Sequence, residues 1–331
     1  MGASSPPPAG GPRDPDGGPR DPGPGRGGRI AAVFADRCLV WSDGAEIVCG
    51  LRGRLKSQTR PVVGDRVDWQ PTPDGGGTVT AFHPRRSVLT RAVADRKRAH
   101  RAQEPQLLAA NVDRVVVVAS LRRPPLRPGL LDRFLLAAGQ AGIDPLICIT
   151  KLDLGRPGEF EAVRDIYGAL GIAVLGTDIH RPETVAPLVE RLHDVTSVLV
   201  GHSGVGKTSL LNLLAGVALA VGEVGFHKDR GRHTTSTTRL IPLRAGGFVI
   251  DSPGIREFGL HGVGAAALAG LYPDFAPYLG QCRFADCLHQ GEPDCAVRAA
   301  AESGPVSPAR YAGYLKLLDE AIQREQAAAP G

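Results

Sequence analysis

Apolar positions change their spacing several times along the chain. Residues 1–28 are almost entirely Pro, Gly, Ser, Ala, Arg and Asp, so a disordered tail with no core of its own is expected there. From Arg29 short apolar runs begin, over Ile30–Phe34, Arg37–Trp41, Glu46–Cys49, Asp65–Trp69 and Thr78–Phe82. Turn signals at Ser42-Asp43-Gly44, Val63-Gly64-Asp65 and Asp74 to Gly77 separate them. Five short strands at that spacing predict a small antiparallel β-barrel of OB type over 29–95. Such a barrel either binds nucleic acid or only packs on its neighbour, and its few aromatic residues leave both readings open.

Beyond Asn111 the pattern becomes strands alternating with helices. Strands are expected at Val112–Ala119, Pro145–Thr150, Ile172–Leu175 and Thr196–Val200, and helices at Leu130–Ala141, Glu159–Leu170 and Thr184–Leu192. That alternation predicts an α/β domain over 104–262, a parallel sheet covered on both faces. Ligands of such sheets sit at the carboxyl ends of the strands. A short loop-rich and helical module is expected over 263–325. Its last helix opens at Ser307-Pro308 and places Tyr311, Tyr314, Leu315, Leu318 and Ile322 on one face, with Arg310, Lys316 and Arg324 elsewhere. That face is expected to pack on the module.

The strongest chemical signal follows the strand Thr196–Val200. Gly201-His202-Ser203-Gly204-Val205-Gly206-Lys207-Thr208-Ser209 fits the phosphate-binding loop pattern without mismatch, between a strand and a helix. Its glycines let backbone N–H groups wrap a polyphosphate at a helix N-terminus. Lys207 is expected to reach the β- and γ-phosphates and the Thr208 hydroxyl to ligate Mg²⁺.

Thr150-Lys151-Leu152-Asp153 ends another strand and resembles Asn-Lys-x-Asp, the guanine-reading element of guanine-nucleotide proteins. The Asp153 carboxylate can accept from the N1–H and the 2-amino group of guanine, a pair that adenine lacks, which argues against ATP. The Lys151 stem lies along the base. Thr150 replaces the usual Asn, and a hydroxyl makes fewer hydrogen bonds than an amide.

Downstream, Asp251-Ser252-Pro253-Gly254 provides a carboxylate for Mg²⁺ and a Gly254 N–H for the γ-phosphate. Between these motifs, Thr234 or Thr235 is expected to close over Mg²⁺. No Gln follows Gly254, where many such hydrolases orient the attacking water. His233 is the candidate for that task, beside Lys207 and Thr235, or else an ordinary loop histidine; slow intrinsic hydrolysis is expected. The base-reading element precedes the phosphate loop, so the motif order is circularly permuted and the γ-phosphate sensor leads directly into the C-terminal module.

Cys282, Cys287, His289 and Cys295 lie within one short segment and fit a closed, structural zinc site. Cys38, Cys49 and Cys148 fall in apolar runs and read as core thiols. The formal net charge of +5 suits an anionic partner, as do Arg85, Arg86, Arg91, Arg96, Lys97, Arg98, His100 and Arg101. No apolar run reaches the ~20 residues of a membrane span and no signal peptide opens the sequence, so no membrane association and a cytoplasmic location are expected.

Barrel, permuted nucleotide domain and Cys₃His module together resemble the ribosome small-subunit-dependent GTPase A family of bacteria. The resemblance runs from about Arg29 to Glu320. Its specific pieces are Val63-Gly64-Asp65, Ala109-Ala-Asn-Val-Asp113, the phosphate loop, Gly231-Arg-His-Thr-Thr235, Asp251 to Gly254 and Cys282-Arg-Phe-Ala-Asp-Cys287. It implies GTP hydrolysis to GDP stimulated by the small ribosomal subunit, Mg²⁺ with GTP, one structural zinc, contacts to ribosomal RNA, and release after hydrolysis during late subunit maturation, by a protein expected to be a monomer. The alternative is an RNA-binding assembly factor in which guanine nucleotide only sets affinity.

Overall fold

A computed structural model describes residues 25–53, 55, 59–91, 106–216, 238–252, 258, 260 and 262–328. The alternating pattern of the first part becomes five strands, β1 (Arg26–Val33), β2 (Arg37–Ser42), β3 (Ala45–Leu51), β4 (Arg66–Pro71) and β5 (Gly77–Phe82). They close in the order β1-β2-β3-β5-β4, antiparallel except where β3 meets β5. Ile30, Cys38, Val40, Cys49, Val67, Trp69 and Val79 fill the interior. Burial pushes the Cys38 thiol up to about 12 and the Cys49 thiol up to about 11, as inert core thiols require.

β1 begins inside the stretch read as tail. A Cβ on Gly28 would lie 2.4 Å from Val40 Cγ1, so glycine is what lets the strand pass this close to β2.

The barrel is bolted to the next domain through Val63-Gly64-Asp65. Gly64 has φ +90, and a Cβ there would sit 2.1 Å from the Ala110 carbonyl oxygen. Ala110 N–H donates to Val63 O at 2.9 Å, and Asn111 Nδ2 donates to Gly64 O at 3.0 Å. Buried Asp65 accepts from Val62 N at 2.9 Å and from Arg85 Nε at 2.7 Å. Arg85 is therefore part of this joint rather than a free phosphate contact, and Arg86 pairs with Asp113 at 2.8 Å. Arg96, Lys97, Arg98, His100 and Arg101 lie outside the described residues. A two-stranded antiparallel ribbon, β6 (Val88–Arg91) with β7 (Gln106–Ala110), joins the two parts.

The α/β domain follows as β8 (Arg114–Ser120), α1 (Pro128–Gln140), β9 (Asp144–Thr150), α2 (Glu159–Gly168), β10 (Ala173–Gly176), α3 (Ala186–Leu192), β11 (Thr196–Val200), α4 (Lys207–Ala215), β12 (Arg239–Pro242) and β13 (Phe248–Asp251). The sheet order is β10-β9-β8-β11-β13-β12, parallel except for the edge strand β12. Its central strands are continuous buried runs of Val, Ile and Leu, because helices cover both faces. The helix expected at Thr184–Leu192 is a 3₁₀ turn, Pro182–Val185, leading into α3.

Helices α5 (Ala265–Leu268), α6 (Ala296–Ser303) and α7 (Pro308–Ala328) frame the C-terminal module around Tyr272 stacked on Phe275, with Tyr314 edge-on to both. α7 packs on the module, and it also crosses α1 where a Cβ on Gly313 would come within 3.1 Å of Gly129 Cα. Here the structure corrects one expectation. Arg310, expected away from the buried face, is 2% exposed, held at 2.5 Å from Asp132 of α1 and at 2.8 Å by both oxygens of Asp274. Among the described residues, no helix is long and apolar enough to cross a membrane.

Candidate nucleotide site and metal centre

The carboxyl ends of β8, β9, β11 and β13 meet at one edge of the sheet. β11 is fully buried and delivers Gly201 to that edge, where φ is +141 and a Cβ would lie 2.1 Å from Val118 O. Only glycine passes there. Gly204 (φ +79) and Gly206 (φ +97) keep the loop in the left-handed region, and Gly206 caps α4. The first turn of α4 therefore starts on Lys207, Thr208 and Ser209, at the end of the loop. Lys207 Nζ donates to the carbonyls of Gly201 and His202, both at 2.7 Å, which holds the ammonium across the loop. His202, Ser203 and Gly204 are exposed and Val205 is buried beneath them.

β9 brings Thr150 to Asp153, the segment expected to read the base, to the same loop. Thr150 is buried, and its hydroxyl lies 2.5 Å from Val205 O and 3.1 Å from Ala119 O. It thus ties the base strand to the phosphate loop from below. Lys151 has φ +56 and donates to Gly204 O at 2.6 Å and to Arg123 O at 2.5 Å, so its stem crosses the loop. Leu152 and Asp153 form a 3₁₀ turn, and the Asp153 carboxylate is exposed at its surface. Leu152 Cδ1 would be 2.7 Å from a Cβ on Gly176, which explains a glycine at the end of β10. Arg123, unremarked in the sequence because only its carbonyl is used, completes this side.

Asp251 ends β13, which runs parallel to β11 with Ile250 opposite Val198. Its carboxylate and the half-buried Thr208 hydroxyl are hard oxygen donors at the same sheet edge, a donor set that suits Mg²⁺. Next to Asp251, Ser252 Oγ accepts from Thr238 Oγ1 at 2.8 Å. His233, Thr234, Thr235 and Gly254 lie outside the described residues.

In the C-terminal module the four anticipated ligands come together. The ligand atoms of Cys282, Cys287, His289 and Cys295 all lie within 4.8 Å of one another, and this group could hold a metal ion. Cys282 Sγ is 3.4 Å and Cys295 Sγ 3.5 Å from His289 Nδ1, and the two sulfurs are 4.0 Å apart. A tetrahedron with metal–sulfur bonds of ~2.3 Å has edges of ~3.8 Å, so these residues fit a four-coordinate ion. The loop is stiffened from outside. Burial opposes ionisation of Glu292, but the N–H groups of Gly291, Leu288 and Gln290 hold its carboxyl down to about 2. Tyr311 and Tyr314 hydroxyls donate to the carbonyls of His289 at 2.7 Å and Leu288 at 2.6 Å. Arg298 N–H donates to Cys295 Sγ at 3.4 Å, the kind of bond a metal-bound thiolate accepts.

Residues 82–261 match the family described as RsgA GTPase. A protein of Gemmatimonas aurantiaca named small ribosomal subunit biogenesis GTPase RsgA is 41% identical over 288 residues, covering 85% of this chain and 92% of its own. One of the same name from Moorella thermoacetica is 38% identical over 289 residues, covering 87% and 94%. Among solved structures, YjeQ from Thermotoga maritima superposes with a TM-score of 0.70 at 28% identity, over 90% of this chain and 98% of that one. YloQ, described as a circularly permuted GTPase, also gives 0.70, at 29% identity over 94% and 99%. With its family model, its curated relatives and a solved relative described as a circularly permuted GTPase, the chain belongs to the RsgA GTPase family.

Proposed function

We propose that this GTPase acts on the small ribosomal subunit, binding it in the GTP state and leaving it after hydrolysis. Identity of 41% across most of the length of a small-subunit biogenesis GTPase carries this reading. The site supports it with a division of labour. Asp153 reads guanine, Lys151 lies along the base, and Thr150 holds the base strand to the phosphate loop. Leu152 and Gly201 to Ser209 complete the nucleotide pocket. Lys207 would swing from its two loop carbonyls to the β- and γ-phosphates, while Thr208 and Asp251 would hold the cation with Thr234 or Thr235. Mg²⁺ bound there would spread the charge that develops on the transferred phosphoryl group. Gly254 senses the γ-phosphate, and His233 positions water once the partner orders the site.

The same reading assigns Cys282, Cys287, His289 and Cys295 to one structural zinc, since three thiolates and an imidazole leave no open position. It also gives the barrel a contact with ribosomal RNA and the protein a cytoplasmic, monomeric life between subunits.

Sedimentation with purified small subunits tests the proposal. The protein should travel with subunits when loaded with a non-hydrolysable GTP analogue and remain free with GDP. The Asp153→Asn variant should need the xanthosine analogue instead, because an amide matches the carbonyl that replaces the guanine amino group. Equal capture with GTP analogue and GDP would sink the switch; unchanged base preference would sink the role of Asp153.

A further inference from the structure

A second cleft opens between barrel and α/β domain, at the other end of the sheet from the phosphate loop. Arg29, Trp41, Asp43, Arg66, His83 and Phe248 line it. Its position is fixed by Arg29, whose Nη1 donates to Thr196 Oγ1 at 2.7 Å. Thr196 begins β11, and Gly201 follows the far end of that strand.

Among the described residues, two guanidinium groups in this cleft have no acid partner. Arg66 Nε is buried without any hydrogen-bond partner, and Arg66 forms no ion pair among the described residues. Arg29 has the Thr196 hydroxyl and the face of Phe248, 5.4 Å from its guanidinium carbon, but among the described residues no carboxylate at bonding distance. Burial, and after it the charge of Arg66, lower the Arg29 pKa; Asp113 opposes this and Arg86 adds to it.

The nearby carboxylates are mostly committed. Asp113 takes Arg86 at 2.8 Å and Thr196 N at 2.9 Å, and Asp68 takes His83 at 3.0 Å. Asp43 stands exposed at the rim, with the Ser42 hydroxyl at 3.4 Å. Two cations that repel each other across a shared cleft, one of them partly desolvated, are costly to hold together without an anion.

We propose that this cleft is an anion site separate from the nucleotide pocket, and that it holds a backbone phosphate of an RNA strand. The guanidinium forks of Arg29 and Arg66 match phosphate oxygens. Trp41 meets Phe248 edge-on, with ring centroids 6.1 Å apart, and forms an apolar wall beside the cations for a ribose or base. The cleft is open to the surface, which suits one phosphate of a continuous strand; a free mononucleotide would need enclosing walls. The assignment rests on the reading that the protein works on a ribosomal particle.

The test is fluorescence anisotropy of a short labelled oligouridylate with full-length, GDP-saturated protein over a range of salt concentrations. Arg66→Gln should weaken RNA binding about tenfold and reduce the salt slope by about one, with GDP binding unaffected. Asp43→Asn, which removes the rim carboxylate and keeps a residue that tolerates its φ of +52, should tighten it. Unchanged affinity and slope in a folded Arg66→Gln protein would overturn the site. Should that variant fail to fold, Asp43→Asn decides, since unaltered RNA binding there also overturns it. No turnover enters this assay. Failure with subunit-stimulated hydrolysis of the unmutated protein intact removes the cleft alone, whereas no stimulation of the unmutated protein would remove the ribosomal reading.

Discussion

Replacing Arg310 by Met should cost about 3–5 kcal/mol of stability, the range for removing one partner from a buried ionic network. Arg310 bridges Asp132 of the α/β domain and Asp274 of the C-terminal module, and its side chain is almost wholly buried. Met would fill the volume and leave two carboxylates facing each other. The effect is sharpened by packing, because a Cβ on Gly313 would come within 2.9 Å of Asp132 Oδ2, so no larger neighbour can fill the gap.

The same network predicts a pH dependence. Burial pushes the Asp132 carboxyl up to about 6, against the pull of Arg310 and the Tyr167 hydroxyl, and Asp274 adds to the rise. Its Oδ2 has no hydrogen-bond partner, which agrees with the direction. An unfolded Asp titrates near ~3.9, so between about pH 4 and about pH 6 the folded chain holds the extra proton. Stability from this group is present at low pH and is lost as pH rises through about 6. Denaturant unfolding at about pH 5 and about pH 7 should differ by roughly 1 kcal/mol in that sense, and Asp132→Asn should remove its share. A loss below about 1 kcal/mol in Arg310→Met would contradict the bridging role of Arg310 between Asp132 and Asp274.

Loss of the metal should be the larger disruption. Structural zinc contributes on the order of 10–16 kcal/mol of apparent binding energy in small zinc peptides, and most of it is folding energy. Cys295 is 2% exposed, and its sulfur both faces His289 and accepts the first-turn N–H of α6. Cys295→Ser should therefore release one equivalent of zinc and unfold the segment from Cys282 to Cys295. Tyr311 and Tyr314 would lose the carbonyls they hold, loosening α7, while GDP binding at the distant phosphate loop persists. Metal content and protease sensitivity of the C-terminal module report the result. A full equivalent of zinc retained by the variant would refute the ligand set.

Much of the architecture was legible because its signals are local. The phosphate loop needs glycines at fixed offsets, and alternation of period two announces each barrel strand. Ligand spacing alone brought the four metal-centre residues together. What stayed hidden depends on contacts distant in sequence. Gly28 looks like tail composition until Val40 is placed against it. Val63-Gly64-Asp65 reads as a turn, but its purpose is the close approach of Ala110 and Asn111. Arg310 resembles any surface arginine on a helix, because its two acids lie 178 and 36 positions away in sequence. Thr150 carried a doubt about base affinity that its geometry recasts: the hydroxyl points to the Val205 carbonyl, under the phosphate loop.

GTP turnover with and without purified small ribosomal subunits tests the central claim most directly. Moderate salt suits the measurement, since phosphate contacts weaken as salt rises. The protein lacks a Gln after Gly254, so turnover alone should be slow. Small subunits should raise it by orders of magnitude, and large subunits should not. Turnover that small subunits leave unchanged, with nucleotide bound normally, would contradict the account and leave a guanine-nucleotide switch with another partner.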